Sequence, residues 1–273
     1  LRDYLLARLA KKYKVKCIMH CHYGCIKDDY QKGGVLSLML KKTLRLYDLI
    51  LVLDSTSSNF LNSIPELQGK VYVAPNFIEV KSGVDMRPRS YKNVAFIGNL
   101  VPTKGIYELV EAVKKLKNGT TLYLIGPAAS DVSSELKKKI GEDEGNCIHT
   151  LGRLPNKEAV SYMKKMDIIA LPTYYSSEAF PISILEAMSN GCLVLSCPRA
   201  AIPDMLTSVG GGKCGLLVEE KSADSIVDAI LWAQNNTVEA DNLRKKAFEK
   251  VSVCYSMPVV FKMYSNFYEK VLG

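Results

Sequence analysis

From residue 94 onward, short runs rich in β-branched residues alternate with stretches whose apolar positions recur every three or four residues. The runs at 94–98, 121–126, 147–152, 167–171, 192–196 and 214–218 have the length and composition of strands buried on both faces. Between them, Ile106, Leu109, Val110, Val113 and Leu116 trace one helix face, and similar periodicity covers 156–165, 182–190, 222–234 and 239–250. Strand and helix in alternation predict repeated βα units and a doubly wound, parallel-sheet α/β domain.

The first eighty residues use the same pattern over a shorter course. They predict a helix over 1–13, a strand at 17–22, a helix at 35–47, a strand at 49–54, a helix at 56–64 and a strand at 70–74. Three strands are few for an open parallel sheet, so an incomplete Rossmann-like unit is expected over 1–82 and a whole one over 83–255. Residues 78–92 carry Lys, Ser, Gly, Arg and Pro without periodicity and read as the connection between the two. Pro258 suits a first helical turn, and the stripe Val259, Val260, Met263, Tyr264, Phe267, Tyr268 and Val271 predicts that the last helix, within 256–273, docks on a partner surface. That surface is expected to be the first unit. The stripe of Leu1, Leu5, Leu6 and Leu9 predicts a first helix packed on the core with a solvated basic face; the competing reading is contact with anionic lipid.

Composition narrows the class. The 273 residues are 48% apolar and 23% charged, which excludes disordered, collagen-like and coiled-coil chains. No apolar run reaches the 18 or so residues that a membrane-spanning helix needs. Eight cysteines without a secretion signal suit a reducing compartment, so a cytoplasmic location is expected. The chain does not begin with Met, and residue 1 is read as other than a natural start. Net charge is +8, of which residues 1–82 hold +6. This excess fits solvated helix faces or a peripheral position on an anionic membrane surface. Nucleic acid is not expected as a partner, because the basic residues are not interleaved with aromatics in a recognisable module.

The segment 177–187 carries the sharpest chemistry. It follows a predicted strand and opens a helix, with Pro181 placed where a missing N–H costs nothing. Such a helix start, at the carboxyl end of a parallel sheet, offers its free N–H groups to an anion. Glu178 lies before the helix and Glu186 about one and a half turns into it, so two carboxylates can face one crevice and accept sugar or ribose hydroxyls. The alternative is a dipole partner and an ordinary surface residue. A second feature shifts that balance. Residues 98–105 end the first strand of this domain and open its first helix, and Lys104 there would neutralise a phosphate in the same crevice. The segment is neither a Walker A loop nor a G-x-G-x-x-G turn. The cluster Cys17, His20, Cys21, His22 and Cys25 has the look of a zinc site, but strand alternation puts Cys17 and Cys21 on one face and the two histidines on the other, so no metal is expected.

At these residues the sequence resembles the retaining GT-B glycosyltransferases of family 4, the group 1 glycosyltransferases. The shared features are the His20 to Gly24 strand end, Pro75-Asn76, Gly98 to Gly105, Leu124-Ile125-Gly126, Leu151-Gly152, the Glu178-x7-Glu186 motif within its Ala-Phe-Pro and Glu-Ala-Met frame, and Gly215 to Val218. The resemblance implies a GT-B fold of two Rossmann-like domains and transfer of a hexosyl group from a nucleotide-sugar to a glycan or lipid-linked acceptor, with retention, no metal and no other cofactor. It implies that Glu186 holds the donor ribose, Glu178 the donor sugar and Lys104 the diphosphate, aided by the backbone of Phe180, Pro181 and Ile182. Gly98 and Asn99 would line the donor site, Gly152 and Arg153 would lie beside the base, and His22, or failing it His20, would face the acceptor. The family usually has an arginine where this chain has Asn99. The rival expectations are a nucleotide-sugar epimerase of the same fold and a non-catalytic nucleotide-sugar-binding module that needs a partner chain.

Overall fold

The apolar runs pair as their alternation predicts, into two separate parallel sheets. In the computed structural model, which describes residues 1–273, β1 (Ile18–Cys21), β2 (Leu49–Val52) and β3 (Val71–Val73) form one sheet in that order. The second sheet has six strands: β4 (Asn93–Ile97), β5 (Thr121–Ile125), β6 (Ile148–Gly152), β7 (Ile168–Leu171), β8 (Leu193–Ser196) and β9 (Leu216–Leu217). Their order is β6-β5-β4-β7-β8-β9, and every neighbouring pair is parallel. The chain turns from one winding direction to the other between β4 and β7, which leaves a crevice beyond their carboxyl ends.

Helices α1 (Arg2–Lys12), α2 (Ile26–Gln31), α3 (Gly34–Leu44) and α4 (Ser55–Asn62) accompany the smaller sheet. Helices α5 (Ile106–Leu116), α6 (Ser130–Ile140), α7 (Asn156–Met163), α8 (Ile182–Ser189), α9 (Ile202–Met205), α10 (Ala223–Asn235) and α11 (Thr237–Cys254) accompany the larger one. A final helix, α12 (Met257–Leu272), starts with its proline in the first turn. Three of these helices have no counterpart in the sequence reading: α2 and α9 are too short to show a period, and α6 spends its exposed faces on Ser and Lys while burying Leu136 and Ile140.

Both faces of β2 are buried, each against different partners. Ile50 and Val52 pack with Leu44, Leu61, Leu67 and Val71, whereas Leu49 and Leu51 meet Ala74 and the α12 residues Tyr264, Phe267 and Val271. The stripe on α12 therefore completes the smaller sheet's core. A continuous core of 47 buried residues, all but Leu53 from the larger unit, compares with eight and three on the two faces of the smaller sheet. Burial of apolar area is the main stabilising contribution, so the larger unit is the more stable of the two.

The first helix departs from expectation. Leu5, Leu6 and Leu9 are 55%, 58% and 52% exposed, and Ala7 is the only buried residue of α1. β1 is an edge strand of its sheet, and α1 packs against α3. The predicted connection at 78–92 is also more ordered than its composition suggests. Ile78 accepts from the Met257 N–H and donates to the Tyr255 carbonyl, both at 2.9 Å, so the two crossings between the units run side by side. Further on, fully buried Arg244 donates to the carbonyls of Asp85 and Gly191, and the Tyr91 hydroxyl donates to Asp241 at 2.6 Å. These buried polar groups hold the second half of the connection to the larger unit.

Candidate functional site

The site residues arrive from loops at the carboxyl ends of β4, β6 and β7. After β4 the chain passes Gly98 and Asn99 and makes a tight turn at Pro102–Lys104 before α5. Gly105 joins that turn to the helix at φ +77°, and a Cβ there would lie 2.2 Å from the Pro172 carbonyl oxygen. A side chain is excluded on both counts. This close approach locks the β4 loop to the β7 loop, and the Tyr174 N–H adds a hydrogen bond to the Thr103 carbonyl at 2.9 Å. As a result the Lys104 ammonium stands 3.4 Å from Glu178 Oε2, and the Thr173 hydroxyl donates to the same oxygen at 3.4 Å.

Helix α8 begins beyond Pro181. The N–H groups of Ala179, Phe180, Ile182 and Ser183 donate to no acceptor in the protein, so the helix start presents a row of free donors. The segment before it is held in place from several directions. The Phe180 carbonyl accepts from Asn76 Nδ2 at 3.1 Å, the Phe180 ring meets Tyr255 edge-on, and the Ala179 carbonyl accepts from the Ala201 N–H. Pro181 caps the helix in extended conformation, and the Ile182 side chain is exposed.

Glu186 sits on the α8 face that closes a cavity of about 420 Å³, whose other walls include Gly98, Asn99, Arg153 and Asn156. Its carboxylate accepts no hydrogen bond from the protein, and burial pushes its pKa above the ordinary carboxylate range. An unpartnered, half-buried carboxylate suits a ligand that brings its own hydroxyl donors. Gly152 lies in a neighbouring cavity of about 610 Å³, and Arg153, Gly126 and Pro127 line both. The structure thus gathers Glu186, Gly98, Asn99 and Arg153 around one cavity and joins Lys104 to Glu178.

The smaller unit reaches the site through one loop. A Cβ on Gly24 would lie 2.2 Å from the Glu178 carbonyl oxygen, and the Cys25 thiol donates to the Ser176 carbonyl at 2.6 Å. The loop carrying His22 is therefore pressed against the one carrying Glu178. His20 points elsewhere: its Nε2 is 2.9 Å from the Tyr268 hydroxyl, its ring meets Tyr264 edge-on, and burial together with His22 lowers its pKa. His22 is exposed and free of side-chain hydrogen bonds. The five residues of the zinc-like cluster do not converge, since Cys21 is buried in the core, Cys25 faces Ser176 and His20 faces α12. Sequence reasoning missed Thr173, Asn156 and the Cys25 contact. Thr173 and Cys25 have no motif signal, because their roles depend on loops that are far apart in the chain.

Two parallel-sheet units, a crevice at the switch point of the larger one, and a cavity walled by Glu186 on the helix whose start has free N–H groups are arranged as in the GT-B fold. Residues 82–250 match the family described as "Glycosyl transferases group 1". The chain belongs to that family. It is 31% identical over 154 residues to a D-inositol 3-phosphate glycosyltransferase of Corynebacterium efficiens, an alignment that covers 54% of this chain and 34% of the relative. It is 21% identical over 225 residues to the MMP alpha-(1->4)-mannosyltransferase of Mycolicibacterium hassiacum, covering 80% of this chain and 54% of the relative. The chain therefore spans about a third to a half of the length of these curated relatives. Among solved structures, Anabaena HepE in complex with UDP and glucose superposes with a TM-score of 0.78 at 17% identity, over 98% of this chain and 75% of that one.

Proposed function

We propose that the protein takes part in transfer of a hexosyl group from a nucleotide-sugar to a hydroxyl of a saccharide or lipid-linked acceptor, in the manner of family 4, with retention of configuration and without a metal. The observation that carries this reading is the unpartnered Glu186 carboxylate at the wall of the cavity lined by Gly98, Asn99 and Arg153. Glu186 would accept the ribose hydroxyls, with the base beside Gly152 and Arg153. The diphosphate would lie against Lys104 and the backbone N–H groups of Phe180 and Ile182, and Glu178 would accept hydroxyls of the sugar. In the front-face reaction proposed, the bond from the anomeric carbon to the diphosphate oxygen breaks and the acceptor oxygen bonds on the same face. The acceptor proton passes to the departing phosphate oxygen, and His22 faces that acceptor. Lys104 and the helix N–H groups stabilise the charge that develops on the leaving group.

The unpaired edge of β1 and the exposed leucines of α1 support a further element of the reading: the smaller unit continues in polypeptide beyond this chain. Acceptor selection would then rest partly outside the 273 residues, and this chain would bind donor without efficient transfer. The same basic unit would face the membrane if the whole protein works there as a peripheral cytoplasmic enzyme. Calorimetry with UDP, GDP and ADP tests the donor site. One of them binds the wild-type chain and Glu186→Ala abolishes that binding; unchanged affinity in the variant removes Glu186 and, with it, the proposed donor site.

A further inference from the structure

The pairing of Lys104 with Glu178 sets a charge balance that donor binding alone does not require. Both side chains are largely withdrawn from water, at 24% and 11% exposure, and neither has another oppositely charged partner. The Thr173 hydroxyl donates to the same Oε2 that faces the ammonium, which holds the carboxylate on the lysine. Asn99 contributes no charge at the end of β4, and Arg153 lines the Glu186 cavity, whose walls do not include Lys104. The cation proposed for the phosphate is therefore already paired with an anion.

We infer that Glu178 selects against free nucleoside diphosphate, so that the site favours the sugar-bearing donor over the spent nucleotide. The inference rests on the donor-site reading above and adds a direction to it. A free diphosphate reaching Lys104 must compete with a carboxylate 3.4 Å from the ammonium and is repelled by that same carboxylate. A nucleotide-sugar meets less opposition. Its terminal phosphate is an ester with one fewer ionisable oxygen, and its sugar hydroxyls donate to Glu178, which engages the carboxylate and releases Lys104 to the phosphate. Once the sugar has been transferred, Glu178 loses those donors and reclaims the ammonium. Product release is thereby favoured.

Calorimetry at low salt tests the idea on wild type, Glu178→Gln, Lys104→Ala and the double variant, with UDP as the probe or, if wild type binds GDP or ADP instead, with that diphosphate and its monophosphate in place of UDP and UMP. Glu178→Gln is expected to bind UDP at least about tenfold more tightly than wild type, and the gain is expected to shrink in the Lys104→Ala background, since release of the lysine is part of it. In the wild-type chain, which needs no substitution, UDP is expected to bind within about tenfold of UMP despite its additional phosphate. A Glu178→Gln affinity within about twofold of wild type, or weaker, overturns the inference, as does a wild-type preference for UDP over UMP beyond about a hundredfold. If wild type binds UDP and loses it on Glu186→Ala while Glu178→Gln changes nothing, the donor site stands and the selection does not. If UDP, GDP and ADP all fail to bind wild type, both fall.

Discussion

Glu186 is the residue at which function and stability pull in opposite directions. Its carboxylate is half-buried without a donor, and burial raises its pKa above the ordinary value of 4.5. The folded state therefore favours the protonated form. The stability that this group allows is fully present below pH 4.5 and is lost as pH rises through the raised value, where an ionised carboxylate is left poorly solvated. Glu186→Gln is accordingly expected to melt at a higher temperature than wild type at pH 7 to 8. Thermal denaturation across pH should show the difference closing below about pH 4.5, while nucleotide binding by the variant is weakened at every pH. An equal or lower melting temperature at pH 8 would contradict the burial argument. The residue itself is legible in the sequence from its spacing to Glu178. Its lack of any protein partner is not, because that depends on which side chains from β4, β6 and α7 stop short of it.

Among the elements, the turn between β4 and α5 shows how a backbone contact fixes a side chain. Gly105 holds φ +77° against the Pro172 carbonyl, and Lys104 is the residue immediately before it. Gly105→Ala would strain the left-handed backbone and drive a methyl group into a carbonyl that has a strand behind it. A loss of about 2 kcal/mol or more in denaturant unfolding is expected. Nucleotide affinity should fall with it, because the β4 and β7 loops that bring Lys104 to Glu178 separate; a variant as stable as wild type would show that the loops can part without cost. The Lys-Gly pair and the helix that follows stand out in the sequence. The partner carbonyl at Pro172 does not, since it lies 67 positions and three strands further along the chain than Gly105. The short helices α2 and α9 escape sequence reading for a related reason: one turn or so of helix is held by neighbours rather than by its own period.

At the scale of the whole molecule, a large core and a small one are joined by two crossings that run side by side, and one of them continues as a strap over the small core. Helix α12 leaves the larger unit beside Ile78 and covers the Leu49 and Leu51 face of the smaller sheet, where the Tyr264 hydroxyl donates to the Pro75 carbonyl at 3.1 Å. Removing residues 257–273 uncovers that face and leaves the larger core intact. Hydrogen exchange is expected to speed up at least about tenfold at the β2 amides of the truncated chain and to stay unchanged at β4, β5, β7 and β8. Equal protection of β2 in both chains would show that the smaller sheet stands without its strap.

The alternation of strands and helices, the parallel sheet, the two carboxylates eight residues apart, the lysine after β4 and the docking stripe of α12 are all determined by the sequence itself, because each rests on local periodicity or spacing. Tertiary structure alone decided that Lys104 faces Glu178, that Glu186 lacks a partner, that His20 turns to Tyr268 and leaves His22 free, and that the leucines of α1 lie open to solvent. The physical reason is common to all four. Each depends on side chains meeting, or failing to meet, across loops and units far apart in the chain, and no local pattern encodes that distance.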